Sequence, residues 1–122
     1  MPQRGMSIDG TVVKVHDGDT LTIKAEIAFN LRLKKLDGTG CYAPETHGKE
    51  KSLGLISRDH LIELSLGKKV RVFIPTEGLR TLGDISSLGR ILGNAWVLDG
   101  PKESLADLQI QSGNAFSKKQ VS

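Results

Sequence analysis

The sequence predicts a small α+β protein, mainly β, in which a five-stranded barrel is capped by helices. Three observations point there. Five stretches carry alternating or β-branched apolar residues, two stretches carry apolar residues at helical spacing, and their order is three strands, a helix, two strands, a helix. A barrel closes on itself and so leaves no unpaired strand edge. The 122 residues form one domain, 1–122, with a core spanning about 8–116 and frayed ends.

Ile8 to Val15 reads as the first strand, with Val12, Val13 and Val15 at its centre. His16-Asp17-Gly18-Asp19 reads as a turn, because Asp-Gly is a strong hairpin signal. Thr20 to Ala28 places Leu21, Ile23 and Ala25 on one face, and Phe29 to Leu36 does the same with Leu31 and Leu33, so the first three strands form a meander. Asp37 to Gly48 contains Gly38, Gly40, Pro44 and Gly48 and reads as a loop. Lys49 to Leu66 reads as a helix whose apolar face is Leu53, Ile56, His60, Leu61 and Leu64, stopped by Gly67. Val70 to Ile74 is the fourth strand, ended by Pro75, and Thr76 to Gly89 is a second loop. Arg90 to Leu98 is the fifth strand, with Trp96 expected in the core. Asp99-Gly100-Pro101 turns the chain, and Leu105 to Gln111 is a short helix with Leu105 and Leu108 facing inward and Gln109 a candidate third.

Composition narrows the function classes. Apolar residues make up 38% and charged residues 25%, ordinary for a globular chain. A net charge of +3 mildly favours a polyanionic partner. The single cysteine, Cys41, rules out an internal disulfide, and a zinc centre built from a cysteine cluster is equally excluded. No stretch approaches the roughly 20 apolar residues of a membrane span, and Met1 to Asp9 has no signal-peptide core. The expected state is a cytoplasmic monomer with no membrane partner, or a secreted one if a leader precedes this sequence.

The chemistry concentrates in three segments: Asp17-Gly18-Asp19-Thr20, Arg32 through Ala43-Pro44-Glu45, and Leu88-Gly89-Arg90. Carboxylates hold a hard divalent cation. Arginines clamp a phosphate and the charge that grows on it. Each segment alone also suits an ordinary turn, a solvated charge or a helix start. In this order, on these elements, they resemble the staphylococcal nuclease (thermonuclease-like) family. The first signature is Val15-His16-Asp17-Gly18-Asp19-Thr20, the second Arg32-Leu33 with Ala43-Pro44-Glu45, and the third Leu88-Gly89-Arg90. The resemblance covers roughly residues 8 to 116.

That resemblance implies an OB-fold and calcium-dependent hydrolysis of DNA and/or RNA to 3′-phosphate and 5′-hydroxyl ends. It implies Asp19 and Asp37 as metal ligands. Glu45 is implied as the group that orients and deprotonates the attacking water, and Arg32 and Arg90 as ligands of the scissile phosphate. Three departures stand against it. In the family an acidic residue directly precedes the Ala-Pro-Glu, whereas here Gly38-Thr39-Gly40-Cys41-Tyr42 intervenes. The reading favoured here treats these five residues as an insertion that leaves Asp37 on the metal; the alternative puts Tyr42 in the acidic place. Ser87 and Leu88 stand where family members carry a lysine and a tyrosine, and Phe116 is the nearest aromatic to the family's late tyrosine. A non-catalytic binding module on the same barrel is the competing functional expectation.

Overall fold

A computed structural model describes residues 4–34, 40–76, 86–87 by backbone alone, and 90–118. Asp37, Leu88 and Gly89 lie outside these described residues, as does most of the Thr76 to Gly89 loop. The elements run β1 (Gly5–Asp17), β2 (Thr20–Lys24), β3 (Ala28–Leu33), a 3₁₀ turn (Gly48–Glu50), α1 (Lys51–Ser65), β4 (Lys69–Pro75), β5 (Ser86–Ser87), β6 (Arg90–Val97) and α2 (Leu105–Gln111).

The fold is mainly β, and five of its strands close in a ring. β3, β2 and β1 form the expected antiparallel meander, β1 continues to β4, and β4 to β6. A short parallel pairing of Leu31, Arg32 and Leu33 with Ile91, Leu92 and Gly93 joins β6 back to β3. One long strand makes this possible. The first half of β1 pairs with β4 (Gly5 with Pro75 to Thr11 with Lys69), and the second half pairs with β2 (Thr11 with Lys24 to Asp17 with Thr20). Irregularities after Val12 and after Val15 bend the strand between its two partners.

Strand alternation fills the ring. Val12, Leu21, Ile23, Leu31, Leu33, Val70, Val72 and Ala95 are all buried inside it. Burying a side chain of this kind contributes about 1.5–3 kcal/mol. Leu61 of α1 and Leu105 and Ala106 of α2 complete the core. Trp96 is only half-buried: its register partner across β4 is the exposed Arg71, so it lies on the other face from Ala95 and Val97. The second strand ends early, at Lys24, because Ala25 N–H closes a turn onto Ile27 C=O at 3.1 Å, and the third strand starts from that turn. Ser86 and Ser87 add a two-residue strand inside the expected second loop.

The inward face of α1 differs from the expected one. Leu53 and Ile56 are 63% and 59% exposed, while Gly54, Ser57, Leu61 and Ser65 are buried. Close backbone approach decides this. A methyl group on Gly54 would sit 1.8 Å from the Glu45 carbonyl oxygen, and one on Gly18 would sit 1.8 Å from Ser57 Oγ. The loop before the helix and the β1–β2 turn therefore lie directly on the helix surface, where only small residues fit. Among the described residues, no helix is long and apolar enough to cross a membrane.

Gly54 offers a test with an inverted sign. Replacing a helical glycine by alanine ordinarily gains up to about 1 kcal/mol. Gly54→Ala should instead lose about 1–3 kcal/mol, because the new methyl overlaps backbone that cannot yield. Urea unfolding of the two proteins measures it; a stabilised variant contradicts the packing described.

Candidate active site

The β1–β2 turn delivers Asp19 into a nearly closed position, 6% exposed. Three groups hold its carboxylate. Thr20 Oγ1 donates to Oδ1 at 3.0 Å, and Ala43 N–H donates to Oδ2 at 2.8 Å. Arg32 Nη2 stands 3.7 Å from Oδ2 as an ion pair. Strand register explains the neighbourhood: Thr20 is the cross-strand partner of Arg32, and Asp19 C=O accepts from Leu33 N–H at 2.8 Å. Asp17 lies beside it, its Oδ1 accepting from Asp19 N–H at 3.3 Å.

Burial first, and then the Asp17 carboxyl beside it, together raise the Asp19 pKa to about 7. The Ala43 amide and the Arg32 guanidinium pull the other way without offsetting burial. A buried acid with a second acid at its shoulder is a donor set that suits a hard cation. Among the described residues, no three His, Cys, Asp or Glu side chains gather as a metal cage, so Asp19 would need ligands from elsewhere.

Ala43-Pro44-Glu45 is fastened to this turn. Besides the Ala43 amide bond to Asp19, Glu45 N–H donates to Glu50 Oε2 at 3.0 Å, and Glu45 C=O rests on the α1 backbone at Gly54. The Glu45 side chain is exposed. Arg90 opens β6, two residues before Leu92, which is level with Arg32 on β3. Alternation puts Arg90 and Arg32 on one face, opposite Leu31 and Ile91, with Cα atoms about 8 Å apart from strand rise and spacing. Arg90 is half-exposed. The structure thus brings Asp19, Arg32 and the Ala-Pro-Glu backbone into one cluster and sets Arg90 on the strand beside it, while Asp37 lies outside the described residues.

The segment before Ala43 is not a simple surface insertion. Lys34 pairs with Gly40, Cys41 is buried in the core, and Tyr42 exchanges two 2.8 Å backbone hydrogen bonds with Phe116. The Tyr42 ring lies against Arg32, whose guanidinium carbon is 5.1 Å from the ring centroid. Tyr42, directly ahead of Ala-Pro-Glu, therefore occupies the ground next to Arg32.

Of a buried polar cluster behind the turn, the sequence pointed only to Gln109, as a candidate inward-facing residue; its partners were not foreseen. Gln109 is fully buried in α2; its Nε2 donates to Gly18 C=O at 2.8 Å and to Ser57 C=O at 3.1 Å. Its Oε1 meets His60 Nδ1. Ser57 Oγ in turn donates to Asn114 C=O at 2.6 Å. This cluster ties the Asp-Gly-Asp turn to both helices. The signal was present in the sequence: Gln109 is one helical turn from Leu105, a polar residue on an apolar stripe.

No protein-family model matches the chain, and no curated protein is significantly similar to it.

Two outcomes follow from this geometry. Unfolded Asp19 ionises near 3.8 and folded Asp19 near 7, so between those values the folded state holds the extra proton. Asp19 should make stability fall as pH rises from about 4 to about 7, by up to about 1.4 kcal/mol per pH unit, with no contribution to the slope outside that window. Asp19→Asn should remove that component, read as a flatter dependence of the chelated protein's unfolding free energy on pH. Gln109→Leu should cost about 1–3 kcal/mol in urea unfolding by stranding the Gly18 carbonyl; an unchanged midpoint contradicts the cluster's role.

Proposed function

We propose that the chain is a calcium-dependent phosphodiester hydrolase acting on DNA and/or RNA, on an OB-fold barrel, leaving 3′-phosphate and 5′-hydroxyl ends. One observation carries the reading: a single buried carboxylate, Asp19, is held 3.7 Å from Arg32 and bonded to the backbone of Ala-Pro-Glu at 2.8 Å. An acid for a cation, a cation for a phosphate and the approach of a general base are thereby joined at one point.

Asp19 and Asp37 would hold calcium, which when bound supplies positive charge to a phosphate oxygen. Arg32 offers its planar fork to two phosphate oxygens, and Arg90, on the neighbouring strand, meets charge that develops on the oxygens around the phosphorus. Glu45 takes the proton from the attacking water; its exposed side chain sits on a backbone pinned from both sides. Fixing that backbone holds the water in line with the leaving oxygen.

Supercoiled plasmid and labelled RNA, incubated with the purified chain in calcium and in chelator, test this. Cleavage should require calcium. Arg32→Lys should lower the rate about 10²–10³-fold, and Glu45→Gln should lower it at least as much. Calcium-independent cleavage, or none that depends on Glu45, rejects the proposal.

A second reading, a binding module that does not cleave, rests on the net charge of +3, which favours a polyanionic partner without requiring catalysis. Such a module retains nucleic acid in chelator and releases it as salt rises. Retention in chelator without any cleavage in calcium selects this reading over the hydrolase.

A further inference from the structure

Arg32 has two neighbours that restrain it in different ways. Its contact with Asp19, at 3.7 Å, is longer than a hydrogen bond, and the Asp19 Oδ2 it faces already accepts from Ala43 N–H. Its contact with the Tyr42 ring is face-on at 5.1 Å, within the range where a guanidinium is attracted to an aromatic quadrupole.

Tyr42 is itself rigidly placed. Its N–H and C=O both pair with Phe116, and Cys41 before it is anchored in the core. Gly40 leaves room for the ring, since a methyl there would fall 2.3 Å from Tyr42 Cε2. The ring is a fixed shelf under a long, flexible cation.

A divalent cation on Asp19 would repel the guanidinium that now stands beside that carboxylate. Arg32 would then lose its only ionic restraint among the described residues. We infer that Tyr42 is a positioning residue for the hydrolysis proposed above, its ring retaining the Arg32 guanidinium beside Asp19 so that a nucleotide phosphate meets a fixed arginine. An aromatic face suits this task better than a carboxylate. It attracts the cation without occupying its N–H donors, which stay available to phosphate oxygens.

The test uses the whole chain in calcium, with a nucleoside 3′,5′-bisphosphate as the calorimetric probe. Tyr42→Leu should weaken bisphosphate binding and raise KM for cleavage roughly 3- to 30-fold, the range expected for a lost cation–π contact. Calcium affinity and thermal midpoint should stay at the parent values, and Tyr42→Phe, which keeps the ring, should bind the probe as the parent does. In the parent, proton resonances of the Arg32 δ-methylene should be shielded by the ring current, and Tyr42→Phe should preserve that shielding. Unchanged bisphosphate binding in Tyr42→Leu, a loss in Tyr42→Phe as large as in Tyr42→Leu, or unshielded Arg32 protons in the parent each overturn the inference and leave the hydrolase reading standing. A parent that neither binds the bisphosphate nor cuts nucleic acid in calcium overturns both.

Discussion

The bond from Ala43 N–H to the buried Asp19 carboxylate is the contact on which the site's arrangement rests. It joins a hairpin turn near the start of the chain to the loop that precedes the first helix, and so fixes where Glu45 emerges. The carboxylate is costly to bury, and its raised pKa is the sign of that cost. Its hydrogen bonds from Thr20 and Ala43 satisfy its oxygens, but the charge itself is only partly balanced by Arg32. A carboxylate almost fully shielded from water is what distinguishes this turn from an ordinary Asp-Gly hairpin.

Support for the turn comes from the far side. Gln109 reaches from the last helix to the Gly18 carbonyl, and Ser57 presses against the same glycine from the first helix. The two helices thus act on the turn through small and amide side chains rather than through a large apolar interface. The position of the Asp19 carboxylate is thus set by backbone contacts on both sides of the turn.

Much of this fold was legible in the residues. The alternation of Leu21 with Ile23, and of Leu31 with Leu33, named the ring interior, and Leu105 to Gln111 read as the last helix; the structure adds its cap, Ser104, which accepts from Asp107 N–H. The face of α1 was not legible, because apolar periodicity reports what could be buried, while backbone proximity at Gly54 and Ser57 settled what is. The helical stripe offered Gln109 as an inward residue, but not what it binds, because its partners at Gly18 and Ser57 lie far away in sequence. The proximity of Asp19 and Arg32 was expected from their motifs, but the placing of the Tyr42 ring against Arg32 depends on how Gly40 and Phe116 hold the intervening segment, which spacing does not encode.

The parallel pairing of β3 with β6 carries an entropic consequence. Every other junction of the ring joins strands in antiparallel register, and the meander can zip from its own turns. The junction of Leu31 with Ile91 instead links segments on either side of α1 and β4, and it comprises only three residue pairs. Bringing such distant segments together costs loop entropy before any contact repays it. The β1–β4 junction, from Gly5 with Pro75 to Thr11 with Lys69, spans as much sequence but has seven pairs to repay that cost where this seam has three, so among the described residues closure of the ring is repaid least here.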